Sequence, residues 1–233
     1  MKIVSWNCKN GLNEIKANSI QENFPDTDII VIQECKRSDI YTFKNTWKFK
    51  NWYGDDREYS DLGIAIFSKK YDVEFSDVLN RKYRYVIPYN IKAGNDFSLL
   101  IVWTKPVPFY YDENLTEAIK WYESEKLLLK DTIIIGDFNT GYTVEHPERY
   151  SNLCNNLKGF NNCASKENKT LEETFYSFSK NKLYINDFCF ASEGLFGKLK
   201  EIKIHKEWEV NSYGQKTWNG SDHCPISVEF DIN

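Results

Sequence analysis

Short apolar runs that stop abruptly on an acid or an amide constrain this chain more than any other feature. Lys2 to Ser5 leads into Trp6-Asn7, Ile29 to Ile32 into Gln33-Glu34, and Thr132 to Ile135 into Gly136-Asp137-Phe138-Asn139. Each run is short and rich in Ile and Val, as a strand buried on both faces requires. A polar side chain where such a strand ends lies at the rim of a sheet, where side chains from separate strands can converge. A fourth acidic motif, Ser221-Asp222-His223, completes the set. Asn, Glu, Asp, Asn, Asp and His together form an oxygen-rich group suited to a hard cation such as Mg²⁺, with Mn²⁺ as a possible substitute and a histidine left for phosphate. The chemistry this suggests is metal-assisted hydrolysis of a phosphodiester.

At 233 residues the chain is long enough for one sizeable core, and it contains no linker or short repeat, so residues 1–233 read as a single domain. Hydrophobic residues make up 41% and aromatics 16%, which excludes a disordered chain. A formal charge of −4 argues against a strongly basic wrapper of nucleic acid. It leaves room for a nuclease, because acidic ligands lower the total while a local basic patch still holds phosphates. The sequence opens on a strand, without a leader-like n-region or h-region, and no apolar stretch is long enough to span a membrane; the expectation is a cytoplasmic protein, read as a monomer. Cys8, Cys35 and Cys224 each follow a candidate site residue, and Cys189 lies two beyond Asp187. Alternation along a strand turns such neighbours to the opposite face, so they read as small core residues. No C-x-x-C pair suggests zinc.

The pattern predicts a helix over Asn13 to Asn23, stopped by Pro25, and helix followed by loop over Lys36 to Ser60. Strands are expected over Leu62 to Phe67, Tyr83 to Tyr89 and Phe97 to Trp103. A helix over Leu115 to Leu129 places Ala118, Ile119, Tyr122 and Lys126 along one face, and another helix runs from about Pro147 to Leu157. Thr174 to Phe178, Tyr184 to Phe190, Leu199 to Ile204 and Ile226 to Phe230 complete the strands. Strands outnumber helices and helices recur between them, which is a layered α/β domain.

In their order, these motifs resemble the endonuclease/exonuclease/phosphatase superfamily. The resemblance runs from Lys2-Ile3-Val4-Ser5-Trp6-Asn7 through Ile32-Gln33-Glu34, Gly63 to Ser68, Gly136-Asp137-Phe138-Asn139 and Asn186-Asp187-Phe188-Cys189-Phe190 to Ser221-Asp222-His223-Cys224-Pro225-Ile226. It implies a four-layer α/β sandwich, two packed mixed sheets flanked by helices. It also implies roles. Glu34 would be the principal Mg²⁺ ligand, with Asp222 and Asn7 beside it. Asp137 would orient or deprotonate the attacking water, and Asn139 would hold that water or a phosphate oxygen. His223 would contact the scissile phosphate, its ring fixed by Asp187. His146 and His205 lie in no motif and read as surface or structural.

Many members of the superfamily carry His or Tyr at the strand end occupied here by Trp103, whose indole N–H only donates. Asn186 stands before Asp187, where a small apolar residue is usual. Nothing in Trp103-Thr104-Lys105-Pro106 matches the Tyr-Val-Pro-Asn stretch of the abasic-site branch, and no inositol phosphatase or sphingomyelinase signature is present. Val102-Trp103 and Tyr184 to Phe190 are instead similar to a group of bacterial members. Trp103, Trp52 and Lys105 are candidate substrate contacts. Trp47, Trp52 and Tyr53 with Lys44, Lys48 and Lys50 form an aromatic and basic cluster that is either a base-stacking platform or an aromatic core loop. The substrate expected is DNA or RNA; a small phosphorylated molecule or lipid headgroup is the alternative, and a non-catalytic binding protein on the same fold is a third.

Overall fold

The computed structural model describes residues 1–43, 46–54, 61–76, 80–83, 85–105, 111–125, 131–142, 147–167 and 171–232. Lys44, Pro106, Lys126 and His146, all singled out above, lie outside the described residues. Along the chain the elements are β1 (Lys2–Asn7), α1 (Glu14–Asn23), β2 (Ile29–Lys36), β3 (Phe49–Gly54), β4 (Leu62–Ser68), β5 (Asp72–Phe75), β6 (Val86–Lys92) and β7 (Phe97–Trp103). There follow α2 (Tyr111–Ser124), β8 (Thr132–Tyr142), α3 (Pro147–Asn156), β9 (Phe160–Asn162), β10 (Phe175–Ser177), β11 (Lys182–Ser192) and α4 (Glu193–Gly197). The last are β12 (Leu199–Ile204), the short hairpin β13 (Glu209–Val210) and β14 (Lys216–Thr217), and β15 (Ile226–Phe230). Among the described residues no helix is long and apolar enough to cross a membrane.

Two mixed sheets result. The first has the order β12-β15-β1-β2-β4-β3 and the second β10-β11-β8-β7-β6-β5, with β9 also on β11. In each sheet one pair is parallel, β1 with β2 and β7 with β8, and each is joined by a crossover helix, α1 or α2. Period-two alternation then sorts the side chains. Ile3, Ile29 and Val31 from the first sheet meet Leu99, Ile101, Ile133, Ile135, Cys189 and Ala191 from the second in one central core. Val4, Trp6, Ile30 and Ile32 face outward onto Ala17 and Ile20 of α1. Leu100, Val102, Ile134, Phe138, Phe188 and Phe190 face the other way, onto Leu115, Ala118, Ile119 and Tyr122 of α2 and Leu153 of α3. The outcome is helix, sheet, sheet, helices. It explains why the central strands read as unbroken apolar runs: both faces are covered, and each fully buried Ile or Val contributes about 1.5–3 kcal/mol.

The first helix is capped as its sequence suggests, with the Asn13 side chain accepting from Lys16 N at 2.9 Å. The clearest departure lies between residues 36 and 60. A two-turn 3₁₀ segment, Arg37–Thr42, replaces the expected helix, and β3 replaces the expected loop. Every residue of β3 is half-buried because it is an edge strand paired only with β4, so its sequence lacks the apolar signature of the inner strands. The aromatic cluster is built into this sheet. Trp47 is buried against Phe43 and Phe67, and Trp52 donates its indole N–H to Cys35 O at 2.7 Å. Lys48 pairs with Asp72 and Lys50 caps Phe43 O.

Candidate active site

The alternation that builds the central core also delivers the polar groups. Asn7 follows Ile3 and Ser5 on the inner face of β1, Asp137 follows Ile133 and Ile135 on β8, and Asp187 precedes Cys189 and Ala191 on β11. All three side chains enter the gap between the sheets and are almost fully buried. Asp137 and Asp187 are paired directly across β8 and β11. Glu34 reaches the same place by breaking the rule. A bulge between Gln33 and Cys35 puts Glu34 in the left-handed region, φ +57°, and re-aims its side chain. Asn139, two residues beyond Asp137, is also left-handed, φ +50°, so that its side chain turns back.

Hydrogen bonds join these groups across the seam. Asn7 Nδ2 donates to Glu34 Oε1 at 3.0 Å and to Asp137 Oδ2 at 2.9 Å, linking a carboxylate of each sheet. Asp137 Oδ1 accepts from Asn139 N at 2.9 Å, and Oδ2 accepts from Asn139 Nδ2 at 2.8 Å. Asn139 Nδ2 also reaches Thr104 O at 3.1 Å. His223 is brought in by a loop stitched to β1: Ser221 Oγ donates to Asn7 O at 2.7 Å, and Trp6 Nε1 donates to His223 O at 3.0 Å. Its Nδ1 lies 2.9 Å from Asp187 Oδ2, which directs Nε2 toward Asp137 Oδ2, 4.0 Å away. Phe175 packs against the imidazole with centroids 4.7 Å apart. Asp222 holds the ammonium of Lys9 at 2.8 Å, and that ammonium also sits 3.4 Å above the Phe178 ring.

Burial and charge work against each other here. Burial pushes the Asp137 carboxyl up, His223 pulls it down and Asp187 pushes it up again, leaving it at about 7. Burial disfavours the His223 imidazolium, but Asp187, Asp137 and Asp222 outweigh it and hold the ring at about 10. The ring is therefore a cation at neutral pH, hydrogen-bonded to one carboxylate and facing another. The donor set fits a hard divalent cation. Asp137, Asp187 and His223 offer ligand atoms within 4.8 Å of one another, but Asp187 and Nδ1 are committed to each other, and Glu34, tied to Asp137 through Asn7, brings a further carboxylate to the seam. Burial is the first cause of the raised Asp137 carboxyl and Asp187 adds to it, so a further cation at the seam would lower it again.

Asn7, Glu34, Asp137 and Asn139 thus share one hydrogen-bonded network, with the His223–Asp187 pair facing it and Asp222 adjoining. Trp103 is 3% exposed in the central core, edge-on to Tyr85, with the Lys105 ammonium 4.0 Å from its ring. It is paired with Asp137 across β7 and β8, both residues on the inner face. Trp52 sits on β3, its ring against Gly54 and Gly63. Sequence reasoning passed over Lys9, Asn10, Lys16, Thr104, Tyr111 and Phe175. Burial raises the Tyr111 phenol, and Asp137 adds to that, which places the first residue of α2 near the site. The Asn10-Gly11 pair before α1 was the one local signal of a special loop.

No family model matches the chain. Recombination repair protein 1 of Drosophila melanogaster is 23% identical over 280 aligned positions, covering 100% of this chain and 37% of that protein's length. An AP endonuclease from Archaeoglobus fulgidus superposes with a TM-score of 0.70 at 17% identity, covering 100% of both chains. The 3'-5' exonuclease NExo from Neisseria meningitidis gives 0.63 at 18%, covering 99% of this chain and 100% of its own. The catalytic domain of Xenopus laevis APE2 gives 0.64 at 17%, covering 100% of this chain and 92% of its own. The chain has the fold of the endonuclease/exonuclease/phosphatase superfamily.

Proposed function

We propose that this protein is a divalent-metal-dependent phosphodiesterase that hydrolyses nucleic acid. The observation that carries the reading is the seam between the sheets, where the His223–Asp187 pair faces Asp137 and Asn7 ties Asp137 to Glu34. Glu34, with Asp222 and Asn7, would hold Mg²⁺, or Mn²⁺ in its place, and the bound ion would neutralise and polarise the phosphate. Asp137, buried and held by two bonds from Asn139, accepts the proton of the attacking water. Asn139 fixes the direction from which that water approaches. His223 presents Nε2–H to the phosphate and stabilises its developing charge, while Asp187 keeps the ring oriented and ionised. Proteins with similar folds include an AP endonuclease, a 3'-5' exonuclease, and a 3' phosphatase from Neisseria bound to a product DNA hairpin, which favours DNA as the substrate. We read the protein as a single-domain, cytoplasmic monomer.

The test is a panel of single- and double-stranded DNA, RNA and small phosphate esters, with Mg²⁺, Mn²⁺ or excess chelator. Metal-dependent cleavage of DNA is expected, and Glu34→Gln should lose it while keeping its circular dichroism spectrum. Turnover that persists in chelator would falsify the mechanism; turnover of small esters alone would move the substrate assignment and leave the mechanism standing.

A further inference from the structure

The loop between β1 and α1 holds an unusual backbone. Lys9, Asn10 and Gly11 are consecutive left-handed residues, with φ of +52°, +55° and +104°. Only the last is a glycine, so two residues adopt a conformation that their Cβ atoms disfavour. Every N–H from Cys8 to Leu12 is nonetheless used. Cys8 N donates to Gln33 O at 3.0 Å, Lys9 N to Asn7 Oδ1 at 3.0 Å and Asn10 N to Glu34 Oε2 at 3.0 Å. Gly11 N donates to Glu34 O at 2.8 Å and Leu12 N to Asp39 Oδ2 at 2.6 Å.

The carbonyls of the same loop turn the other way, as left-handed curvature requires, and three of them converge on one atom. Lys16 Nζ, from the first turn of α1, donates to Cys8 O at 2.5 Å, Lys9 O at 2.8 Å and Gly11 O at 3.3 Å. Lys16 is 9% exposed. An ammonium has three donors and no acceptor, so three carbonyls satisfy it fully and it clamps the loop from behind. The face turned away from Lys16 is the one the site uses: Asn10 N–H seats the Glu34 carboxylate, and Lys9 carries its ammonium to Asp222.

We propose that Lys16 is a positioning residue for the catalytic centre, setting Glu34 and Asp222 through the loop it grips while touching neither. The functional half of this statement rests on the proposed phosphodiesterase reading; the structural half does not. The experiment separates them by measuring amide hydrogen exchange for residues 8–12 alongside kcat and KM on DNA, for the native chain, Lys16→Met and Lys16→Gln. Methionine keeps the apolar stem and removes all three donors; glutamine keeps two donors and no charge.

In the native chain the Asn10 amide, although on an exposed residue, should be protected from exchange. In Lys16→Met, exchange at Lys9 and Asn10 should quicken about tenfold or more while the amides of β8 keep their native rates. Over the same comparison kcat should fall about 10- to 100-fold, as it does when groups that orient ligands are lost, with KM changed by less than about threefold. Lys16→Gln should fall between. A folded Lys16→Met with protected Lys9 and Asn10 amides overturns the proposal, and so does a loss of kcat with those amides undisturbed. If neither variant folds, an unprotected Asn10 amide in the native chain is refutation enough, and a protected one supports it. If no phosphoester is turned over, the phosphodiesterase reading fails while the exchange data still decide whether Lys16 holds the loop.

Discussion

Replacing Asp187 with Asn removes one negative charge from the seam but leaves an oxygen for His223 Nδ1 to meet. In the native site burial opposes the imidazolium, and three carboxylates outweigh it to hold the ring at about 10. Asp187 is the largest of the three and lies at hydrogen-bond distance, 2.9 Å. Without its charge burial gains the upper hand, and the ring's pKa moves toward or below its ordinary value of ~6.5. A ring that titrates near 6 is ionised in roughly one molecule in a hundred at about pH 8, against nearly all molecules in the native chain. If the imidazolium stabilises charge developing on the phosphate, turnover at about pH 8 falls about 10²-fold. Replacing a charge-assisted hydrogen bond by a neutral one adds up to about tenfold more. The assay is a pH–rate profile on end-labelled DNA from about pH 6 to 10 with saturating metal. The native profile should keep its histidine limb at higher pH than the variant, and the variant should recover as the pH is lowered from about 8 to 6. A variant profile parallel to the native one, displaced by a constant factor, would refute the reasoning, because the ring's ionisation would then be indifferent to Asp187.

Asp137 gives a stability signature of opposite origin. Burial raises its carboxyl from 3.8 to about 7, so the folded state prefers the protonated form; that contribution is complete below 3.8 and lost as pH rises through about 7. In chelator, the Tm advantage of Asp137→Asn over the native chain should therefore widen from about pH 4 to 7; an advantage that shrinks contradicts the assignment. Gly136 has φ +144°, and a Cβ there would stand 2.0 Å from Val102 O. Gly136→Ala should accordingly cost more than about 2 kcal/mol in urea unfolding, and a variant within about 1 kcal/mol of native stability would mean that β8 shifts freely. Trp103→Phe should lose about 1–3 kcal/mol of stability with kcat little changed, since the ring is core; a loss of kcat at native stability would show that it meets the substrate.

What the sequence declared and what it withheld divide along a physical line. Phe97–Trp103 and Ile226–Phe230 have the bounds their apolar patterns predict, because these inner strands are covered and end where polar residues begin; the edge strand Leu199–Ile204 also has its predicted bounds, since Leu199 and Ile202 still face the core. β3 and β5 are edge strands with solvent on one side, and their mixed composition reads as loop. Asn7, Asp137 and Asp187 were visible because each interrupts an apolar inner face, although only Asn7 ends its strand, while Asp137 and Asp187 lie midway along β8 and β11. Lys16 was not, because nothing local distinguishes a helical lysine that points into a carbonyl cage from one in water. Its burial depends on three left-handed residues that precede it, and those depend in turn on Glu34 and Asp39 from elsewhere in the chain. Trp103 ends β7 beside the site, and the inward alternation that carries Asp137 to the seam also carries Trp103 onto that face, packed in the core.

The two sheets are drawn from the chain unequally. The second sheet is one uninterrupted stretch, from β5 to β11, whereas the first is assembled from β1 to β4 together with β12 and β15, made afterwards. During synthesis the second sheet can therefore form around Asp137 and Asp187 before the ribosome has reached Ser221, the residue that pins the His223 loop to β1. Until that moment two paired carboxylates stand in the seam with no imidazolium between them, which disfavours closing it. Arrival of His223 supplies the missing positive charge, and β15 completes the sheet in the same few residues. Docking of the layers and assembly of the Asp137–His223–Asp187 cluster are thus one event in time, and a nascent chain stalled short of it lacks the imidazole at the seam.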